Sequence, residues 1–120
     1  PNKKIYKSLE EFLNSIDLEN WIILFIFLEL TIIKELGFDP NLTKFKNSQL
    51  NLNDTKKINI DNTNYQVPNF LIEKKIPDNL TNPLIKQGLY FTRSIIQNKF
   101  FLTNNLPFPK TRILLENYFS

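Results

Sequence analysis

The run from Trp21 to Leu36 constrains this chain more than any other segment. Eight successive residues, Trp21 to Leu28, are apolar, and Ile32, Ile33 and Leu36 extend the pattern at helical spacing. The spacing predicts a helix over 19–36 whose apolar residues cover more than one face, so it is expected to be buried nearly all round. Asn20 or Asp17 can cap its start. Gly37 suits the left-handed position after the last turn, and Pro40 blocks continuation. The run is too interrupted for a bilayer. A membrane span needs about 20 apolar residues, whereas Glu29, Lys34 and Glu35 break this one. The N-terminus has no basic region leading into an apolar stretch, so no signal peptide is read.

Around this helix the remaining elements are predicted in order. Ile5, Leu9, Phe12, Leu13 and Ile16 fall at helical spacing, and Ser8 with Glu11 fits a capping box. Residues 41–80 are rich in Asn and broken by Pro68 and Pro77. Within them Leu50 and Leu52, then Ile58 and Ile60, alternate with polar residues, which predicts two short strands pairing around Asp54-Thr55. Asn69 to Ile76 reads as extended or as a short helical turn. A third helix is expected over 83–102, capped by Thr81 or Asn82, with Pro83 in its first turn. Its core stripe is Leu84, Ile85, Leu89, Thr92, Ile95, Ile96 and Phe100. A fourth is expected over 109–119, with Ile113, Leu114, Tyr118 and Phe119 facing the core. The fold class is therefore mainly α: a compact domain of about four helices with a small irregular or β-hairpin insertion.

At 120 residues the chain is long enough for one modest core. It starts at Pro1 without Met, so a fragment or the C-terminal part of a longer protein is expected. With no Cys and no His, thiolate nucleophiles, imidazole bases, disulfides and the usual zinc ligands are all absent. The carboxylates form no acid/base pair, because Glu10 and Glu11 diverge on a helix and Glu29 and Glu35 point in different directions. Glu29, set in the apolar run, is expected to be buried with an ionic or hydrogen-bonding partner. Only Gly37 and Gly88 are present, so no glycine-rich loop can cradle phosphate. No enzyme, cofactor or metal site is read. Charge is divided unevenly: residues 1–40 carry a net −3 and residues 41–120 a net +6. Such a basic segment suits nucleic acid or an acidic peptide.

Several motifs carry a resemblance. They are Glu29-Leu30, Ile32-Ile33, Leu36-Gly37-Phe38 and Pro40-Asn41-Leu42, followed by Phe45. Their order and spacing resemble the start of the C-terminal domain of RecO, the bacterial recombination mediator, in which a Cys stands at the position of Phe45. Tyr6, Leu9, Leu13 and Trp21 match upstream, Pro68 with Phe70-Leu71 match in the middle, and Pro109 to Leu114 match at the end, with Arg112 on the family's Arg. Many members carry four zinc-binding Cys. The first two positions correspond to Phe45 and Ser48 here, so the resemblance implies a member that has lost the metal, with Phe45 packing in its place.

The resemblance implies a nonenzymatic role in DNA repair by homologous recombination, in the cytoplasm of a bacterium and associated with the nucleoid. The implied partners are the acidic tail of single-stranded DNA-binding protein, RecR, and single- and double-stranded DNA, in support of RecA loading and strand annealing. The family's N-terminal oligonucleotide-binding barrel would precede residue 1. An acidic tail ending in an apolar residue needs a hydrophobic groove edged by cations, and Lys86, Arg93, Lys110 and Arg112 are the candidates for peptide or DNA binding. For Arg112 a structural role, pairing with a carboxylate or capping a helix, competes with ligand contact. Tyr90, Phe91, Phe100 and Phe101 lie among Lys86, Arg93 and Lys99, an interleaving that suits single strands if the rings are exposed and core packing if they are not. The alternative function is a structural protein-interaction domain with no DNA role.

Overall fold

A computed structural model describes residues 3, 4, 7, 10, 20–47 and 49–120. The chain divides into two units, 1–40 and 41–120, a boundary that coincides with the change in the sign of net charge. The elements are helix α1 (Trp21–Glu35), a 3₁₀ turn (Leu42–Phe45), strands β1 (Thr55–Ile60) and β2 (Thr63–Pro68), and helices α2 (Asn69–Glu73), α3 (Asn82–Ile96) and α4 (Lys110–Tyr118). A π-helical turn, Gln97–Phe101, follows α3 without a break. The architecture is mainly α with one β-hairpin. Of the helix expected over 5–16, only residues 7 and 10 are described, and both are helical.

In the first unit, α1 buries Ile22, Ile23, Ile26, Glu29 and Ile33. These positions form one helical stripe. Trp21, Leu24, Phe25, Leu28 and Ile32 are half-buried, so the helix is not enclosed all round as its composition suggested. Glu29 is buried, as expected, and does not lack a partner. The C-terminus of α1 closes as a Schellman motif. The Phe38 amide donates to the Ile33 carbonyl (3.2 Å), the Gly37 amide donates to that of Lys34 (3.0 Å), and Gly37 has φ +104°.

In the second unit the hairpin is antiparallel, with Ile58 opposite Tyr65 and Ile60 opposite Thr63. Its two-residue turn is Asp61-Asn62, seven residues beyond the expected turn at Asp54-Thr55. Asp61 and Asn62 both have positive φ, +51° and +64°. A type I′ turn requires two such residues, and Asp and Asn tolerate them without a Gly. Residues 50–52, expected as a strand, instead belong to a loop. In it Asn47 and Asn51 each accept a hydrogen bond from the amide two residues on, the local bonding that draws Asn out of strands.

The inward face of the hairpin, Ile58, Tyr65 and Val67, packs on α3. Tyr65 meets Phe91 edge to face at 5.7 Å, an arrangement that adds about 0.5–1.5 kcal/mol to area burial. Five-residue α2 is buried along its whole length and fastens the preceding loop. Asn69 Nδ2 donates to the Asn51 carbonyl (2.8 Å), and Glu73 Oε2 accepts from the Asn47 amide (2.9 Å). Thr81 caps α3, its hydroxyl accepting from the Leu84 amide. Phe101 and Phe108 stack edge to face at 5.1 Å where the chain turns back into α4.

The phase of α4 differs from expectation. Ile113, Leu114 and Tyr118 point outward, whereas Arg112, Leu115, Glu116 and Phe119 turn inward. The apolar pattern misled because the inner face of this helix is held largely by charged residues rather than by aliphatic ones.

Gly37→Ala isolates the strain at the end of α1. An added Cβ would meet nothing within 4 Å, so the expected loss is backbone strain alone, about 1–2 kcal/mol. It should appear as a lower urea midpoint at unchanged slope in the fluorescence of Trp21.

Candidate functional site

α3 packs against α4, and the four predicted cations distribute along them unequally. Arg93 reaches from α3 to Glu116 with one edge of its guanidinium: Nε donates to Oε2, and Nη2 donates to Oε1 at 3.2 Å. Its Nη1 donates to Gln97 Oε1, one turn on. Arg112 reaches the same carboxylate from within α4, Nη1 to Oε2 at 3.3 Å. Its Nη2 bridges back to α3, donating to the Leu89 carbonyl (2.9 Å) and the Thr92 hydroxyl (3.2 Å). Glu116 is 4 % exposed and Thr92 fully buried. Two fixed guanidinium forks thus saturate one buried carboxylate, which satisfies the rule that buried charge must be paired and hydrogen-bonded. The pairing with a carboxylate anticipated for Arg112 is present.

Lys86 and Lys110 stand apart from this knot. Lys86 donates to the Ser120 hydroxyl at the far end of α4 (2.5 Å). Lys110 is exposed at the start of α4. It lies on the same helical ridge as Leu114 and Tyr118, four and eight residues on, and these side chains are 63 % and 78 % exposed. Ile113 is also exposed, and the outward positions of α4 carry no acidic residue. The result is an apolar ridge with a cation at its start.

The aromatic cluster separates when placed in the fold. Phe91 is core, 1 % exposed, and Phe101 is engaged with Phe108. Lys99 pairs with Asp61 on the hairpin turn at 2.7 Å. Tyr90 is the open ring of the set, 52 % exposed, with the Arg93 guanidinium carbon 4.9 Å from its centroid.

Sequence reasoning did not find a cleft of about 490 Å³ between β2 and α3. Residues 63–66 of β2 form one wall. Gln87, Tyr90 and Ser94 of α3 form the other, with Phe91 and Asn98 completing the lining. Gln87 Nε2 spans it to the Gln66 carbonyl (3.1 Å), and Asn98 Nδ2 donates to the Tyr65 hydroxyl (3.4 Å). Every lining side chain is uncharged. The signal for this site was the register of the hairpin, which the misplaced turn concealed.

Phe45 is half-buried, with Lys44 Nζ 5.1 Å and Lys56 Nζ 5.7 Å from its ring centroid. It therefore supplies a cation–π platform and not only apolar packing. Ser48 lies outside the described residues. Among the described residues no cluster of His, Cys, Asp or Glu is placed to hold a metal, and no helix is long and apolar enough to cross a membrane. Comparison with protein-family models, with curated proteins and with solved structures returned no match.

The two kinds of ion pair should separate on mutation. Glu116→Ala leaves two guanidinium groups largely enclosed without a counter-charge and is expected to cost about 3 kcal/mol. Lys99→Met removes a pair whose acidic partner is mostly exposed and is expected to cost under about 1 kcal/mol. Denaturant titration followed by circular dichroism of both variants measures the contrast.

Proposed function

We propose that this chain is a nonenzymatic interaction domain of the recombination-mediator type, which captures the acidic, apolar-ended tail of single-stranded DNA-binding protein on the outer face of α4. The observation that carries this reading is the ridge Lys110–Leu114–Tyr118, exposed on a helix whose inner face is already fully engaged. A protein that exposes adjacent large apolar side chains beside cations, with no carboxylate among them, is suited to a ligand carrying both apolar and acidic groups. Leu114 and Tyr118 would receive the terminal apolar side chain. Lys110 at the start of the ridge, with Lys86 beside Ser120, would draw in the acidic groups. Arg93 and Arg112 act on this surface through Glu116, by fixing α4 against α3.

The wider role follows the resemblance in the α1 and α4 motifs: cytoplasmic, nucleoid-associated support of RecA loading, with RecR and DNA as further partners. A protein tail is favoured over a nucleic acid as the ligand of the α3–α4 pair itself. Of the rings interleaved with cations, Phe91 is buried and Phe101 is engaged with Phe108, and Lys99 and Arg93 are paired with carboxylates.

The test is a titration with a fluorescent acidic peptide ending in Phe, against a scrambled control, at two salt concentrations. Saturable micromolar binding that is lost on scrambling and weakened by salt is expected. Leu114→Ala/Tyr118→Ala and Lys110→Glu should each weaken it by at least about tenfold, equivalent to 1.4 kcal/mol, with the helical signal intact. Unchanged affinity in both variants would remove the ligand from this face.

A further inference from the structure

The cleft between β2 and α3 has one wall made of backbone. In a two-residue hairpin the closing pair, Ile60 and Thr63, exchanges both hydrogen bonds, and bonded and non-bonded pairs then alternate along the ladder. Ile58–Tyr65 and Lys56–Val67 are bonded pairs, whereas Asn59–Asn64 and Lys57–Gln66 are not. The N–H and C=O groups of Asn64 and Gln66 therefore point away from β1, to the side where the cleft lies. An independent contact agrees with this direction, because the Gln66 carbonyl is met from across the cleft by a side-chain amide, Gln87 Nε2. Among the described residues the sheet has two strands, so none of them forms a third strand on that side.

The two edges of the hairpin are treated differently. β1 carries Lys56 and Lys57, and lysines on an edge strand discourage pairing with another chain. β2, Thr-Asn-Tyr-Gln-Val-Pro, carries no charge. Its edge is set opposite a helix across a gap whose volume lies in the range of ligand pockets, about 300–1,000 Å³. A strand edge facing a helix across an open slot is the geometry that accepts an extended peptide as an added strand.

We infer that the β2–α3 cleft binds an extended peptide segment of a partner protein, which adds to the edge of β2 through the N–H and C=O of Asn64 and the N–H of Gln66, the Gln66 carbonyl being held by Gln87. Because side chains alternate along a strand, every second side chain of the bound segment faces α3, beside Tyr90 and Ser94. That position takes an uncharged side chain, since the lining offers a charge no counter-ion. Binding here is independent of the α4 face: it uses other residues and a ligand of opposite character, neutral where the other is acidic.

Phage-displayed random heptapeptides selected on the whole chain provide the probe. The strongest binder is then synthesised as a series, each member N-methylated at one backbone position. Loss of affinity by at least about tenfold, 1.4 kcal/mol, is expected at alternate positions, with little effect between them. Amide shifts should centre on Asn64, Gln66 and Ser94. Ser94→Phe fills the slot and should abolish binding while sparing the acidic peptide on α4. Gln66→Pro provides a second variant. It removes an outward N–H, which edge strands tolerate, together with an exposed side-chain bond from the Thr55 hydroxyl, and should weaken binding even if the Phe substitution disturbs folding. A flat N-methylation profile, shifts confined to α4, failure to select any peptide, or dimers formed through this edge in sedimentation would each overturn the assignment.

Discussion

The buried carboxylate of Glu116 sets how α3 and α4 pack together. It accepts from Arg93 across the interface and from Arg112 within its own helix, and Arg112 continues to the Leu89 carbonyl and the Thr92 hydroxyl. Each of these bonds has a direction, so the network fixes the rotation of α4 about its axis as well as its distance from α3. Hydrophobic contacts are non-directional and would tolerate a helix turned by one residue. A guanidinium fork bonded to three acceptors on two helices would not. A lysine could carry the charge of Arg112 but not its planar, multi-acceptor geometry.

That rotation decides which side of α4 meets water. With Arg112, Glu116 and Phe119 inward, Leu114 and Tyr118 must be outward. The apolar exposure of this face is therefore a result of polar chemistry on the opposite one, and both candidate binding surfaces descend from α3. One of its sides supports α4. The other, at Gln87 and Ser94, stands across from the hairpin edge. The π-helical turn that extends α3 carries Asn98 and Lys99, which reach Tyr65 and Asp61 and tie the hairpin to the same helix.

Much of this fold is legible in the sequence, and the exceptions have physical causes. α1 and α3 are visible because their apolar spacing is helical, and their ends follow from Gly37, Thr81 and Pro83. The hairpin is visible as alternation, but its turn is not, since Asp61-Asn62 adopts positive φ without the Gly that usually marks it. The phase of α4 is hidden because hydropathy assigns Arg112 and Glu116 to the surface. Only their spacing of four and the presence of Arg93 on another helix, which no local pattern reveals, place them inside. The abundance of Asn reads as compositional bias, yet Asn41, Asn62 and Asn105 hold left-handed positions, and Asn47 and Asn51 cap their own turns. In a chain with two glycines these residues supply the conformations that glycine otherwise would. The cleft depends on tertiary placement of a strand against a helix and was not legible at all.

The short helix α2 has a consequence for how the molecule opens. Five residues form too few intrahelical bonds to persist alone, so α2 exists only while its side chains are docked. The same side chains hold the loop before β1, through Asn69 on the Asn51 carbonyl and Glu73 on the Asn47 amide. Helix and loop therefore have no separate stabilities. When one detaches the other loses its anchors, so the loop around Asn47 and Asn51 and residues 69–73, distant in sequence, are expected to exchange their amide protons as a single cooperative unit, with β1 and β2 left paired between them.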